Sequence, residues 1–249
     1  MWEVLHASML HWYRLIGAGS PGARTLERDG LVAALVPVAL DRSVVNAVVY
    51  ERPAALAAAY DEIATAYDEI GAKWTVWVHE GDAETVALLE GAGHVLDAAP
   101  VAMALDLAER APQRPELPDW TASGSLADVG AVNDRAYPVG GDWFSRSLAG
   151  LPAGQLHVYV ASRAGEPVGC CVTADTDSNS EVQMVAVVPE ARGQGLSGKL
   201  VAHALADAVE RGCETSTLVA TQLGRPVYEK LGFRPLGVLE MWERRVDQR

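Results

Sequence analysis

Residues 181–200 read EVQMVAVVPEARGQGLSGKL, where a Val-rich run ending at Pro189 meets a turn carrying Gly193, Gly195 and Gly198, and that turn opens an apolar-periodic segment. The first part has the composition of a strand, and 196–211, stopped by Gly212, has the period of a helix. The junction suits an anion. Glycines let a backbone approach a ligand closely, and the first N–H groups of a helix lack partners and point outward with the positive end of the helix dipole. A nucleotide P-loop is excluded because no Gly-Lys-Ser/Thr closes the glycine pair. Residues 193–198 do spell G-x-G-x-x-G, but the strand–helix unit comes late in the chain and is preceded by Arg192, which argues against a dinucleotide fingerprint.

Downstream of the turn, the pattern predicts a strand over 215–220, a helix over 225–231 and a strand over 236–243. Upstream, it predicts helices over 126–136 and 143–149 and strands over 156–161, 167–173 and 181–188. Further back, LAERAPQRPELPDW (107–120) spaces Pro112, Pro115 and Pro118 three apart, the mark of a stiff, extended linker. The chain therefore divides into residues 1–107, a Pro-rich linker over 108–119, and residues 120–249. Shifted by 139 positions without a gap, 44–50 falls on 183–189, 54–71 on 193–210 and LLEGAGH (88–94) on VYEKLGF (227–233). The first half therefore repeats the later portion of the second, the alternative being an unrelated α/β half with coincidental spacing. ERPAAL (51–56) stands where the glycine turn should be, and Leu89 where Tyr228 is.

The 249 residues are 49% apolar and 21% charged, enough to bury real cores. An early Glu3 and His6 speak against a signal peptide, and no apolar stretch reaches membrane-spanning length. Three cysteines provide neither a disulfide framework nor a zinc spacing, which suggests a reducing cytoplasm. The net charge of −13 argues against nucleic acid. Residues 1–110 hold 16 acidic against 7 basic side chains and 111–249 hold 17 against 13, so the less acidic half carries the glycine turn. The six histidines show no metal-ligand spacing, and no metal is expected.

The order helix–helix–strand–strand–strand–helix–strand–helix–strand, with Arg192-Gly193-Gln194-Gly195-Leu196-Ser197 at the turn, resembles the GNAT N-acetyltransferase superfamily and its signature Gln/Arg-x-x-Gly-x-Gly/Ala, with Ser197 departing at the last position. The resemblance implies an α/β (α+β) fold of two GNAT-like halves. Each half would be a twisted, mostly antiparallel mixed sheet flanked by helices, and the first would be degenerate. It further implies acetyl-CoA as acyl donor and direct transfer to a primary amine of a small molecule or peptide. Main-chain bonds from Val185 and Val187 would hold the pantetheine arm, and Arg192, Gly193, Gln194, Gly195, Leu196, Ser197 and Gly198 the phosphates. Thr221 stands where many relatives carry an Asn that touches the cofactor. Tyr228, in RPVYEKLGF (225–233), matches the general acid that protonates the leaving thiolate. Glu181 matches the base Glu of some relatives; a solvated strand-end carboxylate is the other reading, and Asp142, Asp175 and Asp177 are the remaining acceptors. By period-two alternation Glu181 shares a face with Gln183, Val185 and Val187. Trp143 and Phe144 fall where the family's acceptor-side helices lie, as pocket lining or as core. A monomer or homodimer is expected, without membrane or nucleic-acid partners. Two alternatives to this enzyme are a non-catalytic acyl-CoA-binding regulatory module and a tandem acetyltransferase like mycothiol synthase.

Overall fold

The computed structural model describes residues 1–110, 112–116, 124–137 and 141–245, together with the backbone of 120–121. The first half runs α1 (Trp2–Ile16), β1 (Arg24–Arg28), β2 (Leu31–Leu35), β3 (Ala47–Tyr50), α2 (Pro53–Ile70), β4 (Trp74–His79), α3 (Ala83–Gly91), β5 (Val95–Ala98) and β6 (Val101–Asp106). The second runs β7 (Trp120–Thr121), α4 (Leu126–Ala136), α5 (Trp143–Leu148), β8 (Leu156–Arg163), β9 (Glu166–Thr176), β10 (Asn179–Val187), α6 (Leu196–Glu210), β11 (Thr215–Ala220), α7 (Arg225–Leu231) and β12 (Arg234–Arg244). Local signals set several of these bounds. Ser125 and Asp128 form a reciprocal capping box that starts α4, and Pro53, whose ring pre-sets a helical φ, starts the Ala-rich α2.

All twelve strands join in one sheet, ordered β1-β2-β3-β4-β12-β6-β11-β10-β9-β8-β7, with β5 also on β12. The two halves exchange their last strands. β6, from the first half, lies between β11 and residues 234–238 of β12. Residues 239–244 of β12 in turn lie against β4, with β5 on the other side of 241–243. Each half thus completes its sheet with a strand of the other. Pairing within both halves is mixed: β3–β4 and β10–β11 are parallel, their neighbours antiparallel.

The buried face of α1 packs on β2 and β3 and also on β9, β10 and β11. Leu5, Met9, Leu10, Trp12, Tyr13, Leu15 and Ile16 are all buried there, in a core that also takes residues of α4, α5 and β9. Large apolar side chains stabilise by about 1.5–3 kcal/mol each when fully buried, so this one helix ties the halves together strongly. Two further cores lie under α2 and under α6. Residues 112–116 have no regular structure; Arg114 pairs with Asp207 and Glu210 on the outer face of α6. The rest of the expected linker, Pro118 included, lies largely outside the described residues.

The structure corrects the gap-free repeat. Residues 51–52 alone join β3 to α2, whereas residues 188–195 join β10 to α6, so the first half has a shorter connection rather than an altered turn. The helix ends do repeat at the shift of 139: Asp82 accepts the Thr85 N–H at 3.0 Å at the start of α3, and Thr221 Oγ1 accepts the Gly224 N–H at 3.1 Å at the start of α7.

Because β6 fills a central position in the second half's sheet, a chain cut to residues 108–249 is expected to lose cooperative thermal unfolding by circular dichroism. Co-expression with residues 1–107 should restore it. A cooperative transition for the isolated fragment would contradict the exchange.

Candidate active site

The site begins where two strands part. β10 pairs with β9 along most of its length but with β11 only at Asn179–Thr215, Ser180–Ser216 and Glu181–Thr217. Beyond Glu181 the β11 side of β10 has no ladder. A bulge between Gln183 and Ala186, with Met184 at φ 51°, bends the strand there. Its extra residue breaks the expected alternation: Val185 turns to the α6 core with Val182, while Glu181 lies on the α1 side, close enough for its charge to act on the Tyr13 phenol. Side chains meet three carbonyls of this segment. The Cys170 thiol donates to Met184 O at 3.2 Å, Arg192 Nε to Val187 O at 3.0 Å, and the Tyr137 hydroxyl approaches Val185 O at 3.5 Å.

At the far end of β10 stands the glycine turn. Gly193 and Gly195 adopt φ 78° and φ 70°, and a Cβ at either would meet nothing within 4 Å. Their lack of a side chain therefore serves backbone conformation, since the left-handed region costs other residues about 1–2 kcal/mol. Gly195 caps α6 with no side-chain cap bond, which leaves the helix's first N–H groups without one among the described residues. Gly198 differs; a Cβ there would lie 3.6 Å from Val227, ordinary contact. Arg163, at the end of β8, reaches the turn and donates to Gln194 Oε1 at 2.6 Å. An exposed, uncapped helix start with left-handed glycines is a fit for the pyrophosphate of a nucleotide-bearing cofactor, and the open edge of β10 is a fit for an extended arm.

Three expected contacts are placed differently. The Arg192 guanidinium is spent on Val187 O and, at 2.8 Å, on Ala136 O at the end of α4, so it braces the parted strand instead of facing the turn. Thr221 Oγ1 accepts the Gly224 N–H in the exposed turn just ahead of α7. Trp143 and Phe144 are buried in the core, stacked with ring centroids 3.6 Å apart, with Arg42 over the Trp143 ring. They support the site from behind.

Tyr228 projects from α7 against the α6 core, edge-on to Phe233 at 5.9 Å. Its hydroxyl makes no hydrogen bond among the described residues. Burial, with Cys171 and Tyr137 as neighbours, raises its pKa above the ordinary phenol range, so it holds its proton firmly. Tyr137, at the end of α4, is the residue that sequence reasoning missed; it stands outside both signatures, and only its place beside the parted strand reveals it.

Glu181 is fully buried, and among the described residues neither carboxylate oxygen lies within hydrogen-bonding geometry of a partner. Desolvation pushes its pKa up to about 8, against a small opposing effect of the Gln183 amide. The solvated reading of this residue is thus replaced by a buried one. Its surroundings are polar: Asn179 bonds Ser8 of α1 and Thr217 of β11, each at 2.8 Å, and Tyr13 accepts from Trp77 Nε1 and donates to Val44 O. Cys170 and Cys171 are buried with raised pKa values, about 12 for Cys170, which makes them poor nucleophiles.

In the first half β3 and β4 pair only at Ala47–Thr75 and Val48–Val76, and beyond them Tyr50, the last residue of β3, bonds Asp82 Oδ2 at 2.7 Å, at the start of α3. Among the described residues, three or more His, Cys, Asp or Glu nowhere gather to hold a metal, and no helix is long and apolar enough to cross a membrane.

Comparison with known proteins agrees with this geometry. Residues 154–235 match the family model described as an acetyltransferase (GNAT) domain. A mycothiol acetyltransferase of Tsukamurella paurometabola is 29% identical over 246 residues, spanning 88% of this chain and 84% of that protein. A GCN5-related N-acetyltransferase from Kribbella flavida has the same fold, with a TM-score of 0.68, 19% identity, and coverage of 96% of this chain and 95% of that one. So does a tandem GNAT protein from the clavulanic acid biosynthesis pathway, with a TM-score of 0.59, 16% identity, and coverage of 99% and 96%. Residues 154–235, which carry the glycine turn and Tyr228, thus match a GNAT acetyltransferase domain, and the chain as a whole has the fold of GNAT proteins.

A carboxyl with a raised folded pKa stays protonated in the folded state while the unfolded chain ionises, so the fold loses stability as pH rises from the ordinary value of 4.5 to about 8. Glu181→Gln should therefore raise Tm little at pH 5 and clearly at pH 8. An equal effect at both would contradict the buried, unpartnered carboxyl.

Proposed function

We propose that the chain transfers an acetyl group from acetyl-CoA to a primary amine by direct attack, with one site per chain, in the second half. The observation that carries this reading is the parting of β10 from β11 after Glu181, between a cradle of N–H groups at residues 193–198 and the phenol of Tyr228. The open edge of residues 183–187 would take the pantetheine arm, and the turn the phosphates, through backbone groups. Acetyl-CoA supplies the activated acyl group. The chain's residues orient it and handle protons.

Glu181 accepts the proton of the incoming ammonium. A free alkylammonium titrates near 10.4, so transfer to a carboxyl at about 8 spans roughly two pK units, where an ordinary carboxyl at 4.5 would span about six. Tyr228 gives its proton to the departing thiolate, and backbone N–H groups near Val185 stabilise the carbonyl oxygen. The roof of α1 over Glu181 makes the first half part of the acceptor's surroundings. Together with the alignment to a mycothiol acetyltransferase across both halves, this favours a small-molecule amine, handled as in a tandem enzyme of that kind, over a protein N-terminus. The free cysteines fit a cytoplasmic enzyme. The exchanged strands satisfy within one chain what a dimer would otherwise supply, which favours a monomer over a homodimer.

With an amine panel and acetyl-CoA, thiol release should mark the substrate. Tyr228→Phe should lower kcat by about 10²–10⁴-fold, the usual worth of a general acid, with acetyl-CoA affinity nearly unchanged. Glu181→Gln should remove the rise of kcat/KM with pH through neutrality. Acetyl-CoA binding without thiol release on any amine would favour the regulatory-module reading instead.

A further inference from the structure

Of the three carbonyls of the bent β10 segment that meet side chains, two have short-range partners held in the fold. Cys170 is buried in the core, and Arg192 is fixed at both ends by carbonyls at 3.0 and 2.8 Å. The third partner, Tyr137, is different. Its hydroxyl is at the 3.5 Å limit from Val185 O, and the residue is 46% exposed. Its ring leans on Phe144, centroids 6.1 Å apart, and Phe144 is locked in turn: it stacks on Trp143, and its N–H donates to Asp134 Oδ1 at 2.9 Å. Tyr137 is therefore a backed ring with a loosely committed hydroxyl. It also lies near enough to Tyr228 to act on that phenol electrostatically, so the two tyrosines converge on the stretch around Val185, one from the end of α4 and one from α7.

We propose that Tyr137 is the wall against which the acyl chain of the donor ends, and that it selects acetyl over longer acyl groups. The inference rests on the acyl-CoA reading given above, in which the thioester lies beside Val185 and Tyr228. An acyl chain there meets the Tyr137 ring, which is braced on its inner side by Phe144 stacked on Trp143. Selection is by shape, so the ring matters and the hydroxyl does not.

Calorimetry on the full chain without acceptor tests this, using CoA, acetyl-CoA and butyryl-CoA. The native protein should bind acetyl-CoA at least about tenfold more tightly than butyryl-CoA, the discrimination a close apolar wall provides per added methylene. Tyr137→Ala should bring the two within about threefold by strengthening butyryl-CoA, and Tyr137→Phe should keep the native preference. If Tyr137→Ala fails to unfold cooperatively, Tyr137→Val carries the same comparison. Equal affinities in the native protein, or an unchanged ratio in the Ala or Val variant, overturn the wall while leaving the acyl-CoA site intact. Absence of binding by all three CoA species overturns the site and the wall together.

Discussion

Backbone N–H and C=O groups removed from water must find partners, and a strand that leaves its neighbour inside a sheet exposes a row of them. Among the described residues that happens in each half along a parallel pairing, β3–β4 in the first and β10–β11 in the second. The first half heals the opening with a side chain, Tyr50 to Asp82. The second leaves its opening wide, bends the strand with a bulge at Met184, and lets side chains from three different elements reach the carbonyls. The position of α6, the direction of the glycine turn and the burial of Glu181 all follow from where that strand goes.

Much of this was legible in the residues. Helices over 126–136 and 225–231 and the strand over 215–220 have the bounds that caps, Pro positions and Val/Thr runs predict, because those signals act within one turn of the backbone. The glycine turn was legible for the same reason. What could not be read is set by tertiary neighbours. Period-two alternation placed Val185 beside Glu181, but a single left-handed residue, Met184, reverses the strand's faces, and Met carries no sequence mark of that conformation. Arg192 reads as a phosphate ligand because of its place in a motif, yet the nearby end of α4 offers it a carbonyl. Trp143 and Phe144 are aromatic residues on a short helix, equally suited to pocket or core until the packing of α1 and α5 decides. Tyr137 is silent in the sequence, since its importance lies in a partner 48 positions away.

The first half has a shorter strand-to-helix connection than the second but a full set of strands and helices, two of which serve the other half. β6 lies between β11 and β12 in the other half's sheet, and α1 contributes Ser8 and Tyr13 to the buried polar layer over Asn179, Thr217 and Glu181. A half that supplies a strand and a roof is under pressure to keep its shape, not its chemistry.

The interleaving of β6 and β12 also bears on how the molecule breathes. In a chain of separable domains, a ligand bound to one domain protects only that domain from local opening. Here the sheet runs unbroken from β1 to β7, and β12 belongs to both of its sides. Free energy gained by a ligand bound at the turn of residues 193–198 would therefore be shared with strands at the opposite edge. Amide hydrogens of β3 and β4, on the far side of the sheet from that turn, would then exchange with solvent more slowly when it is occupied.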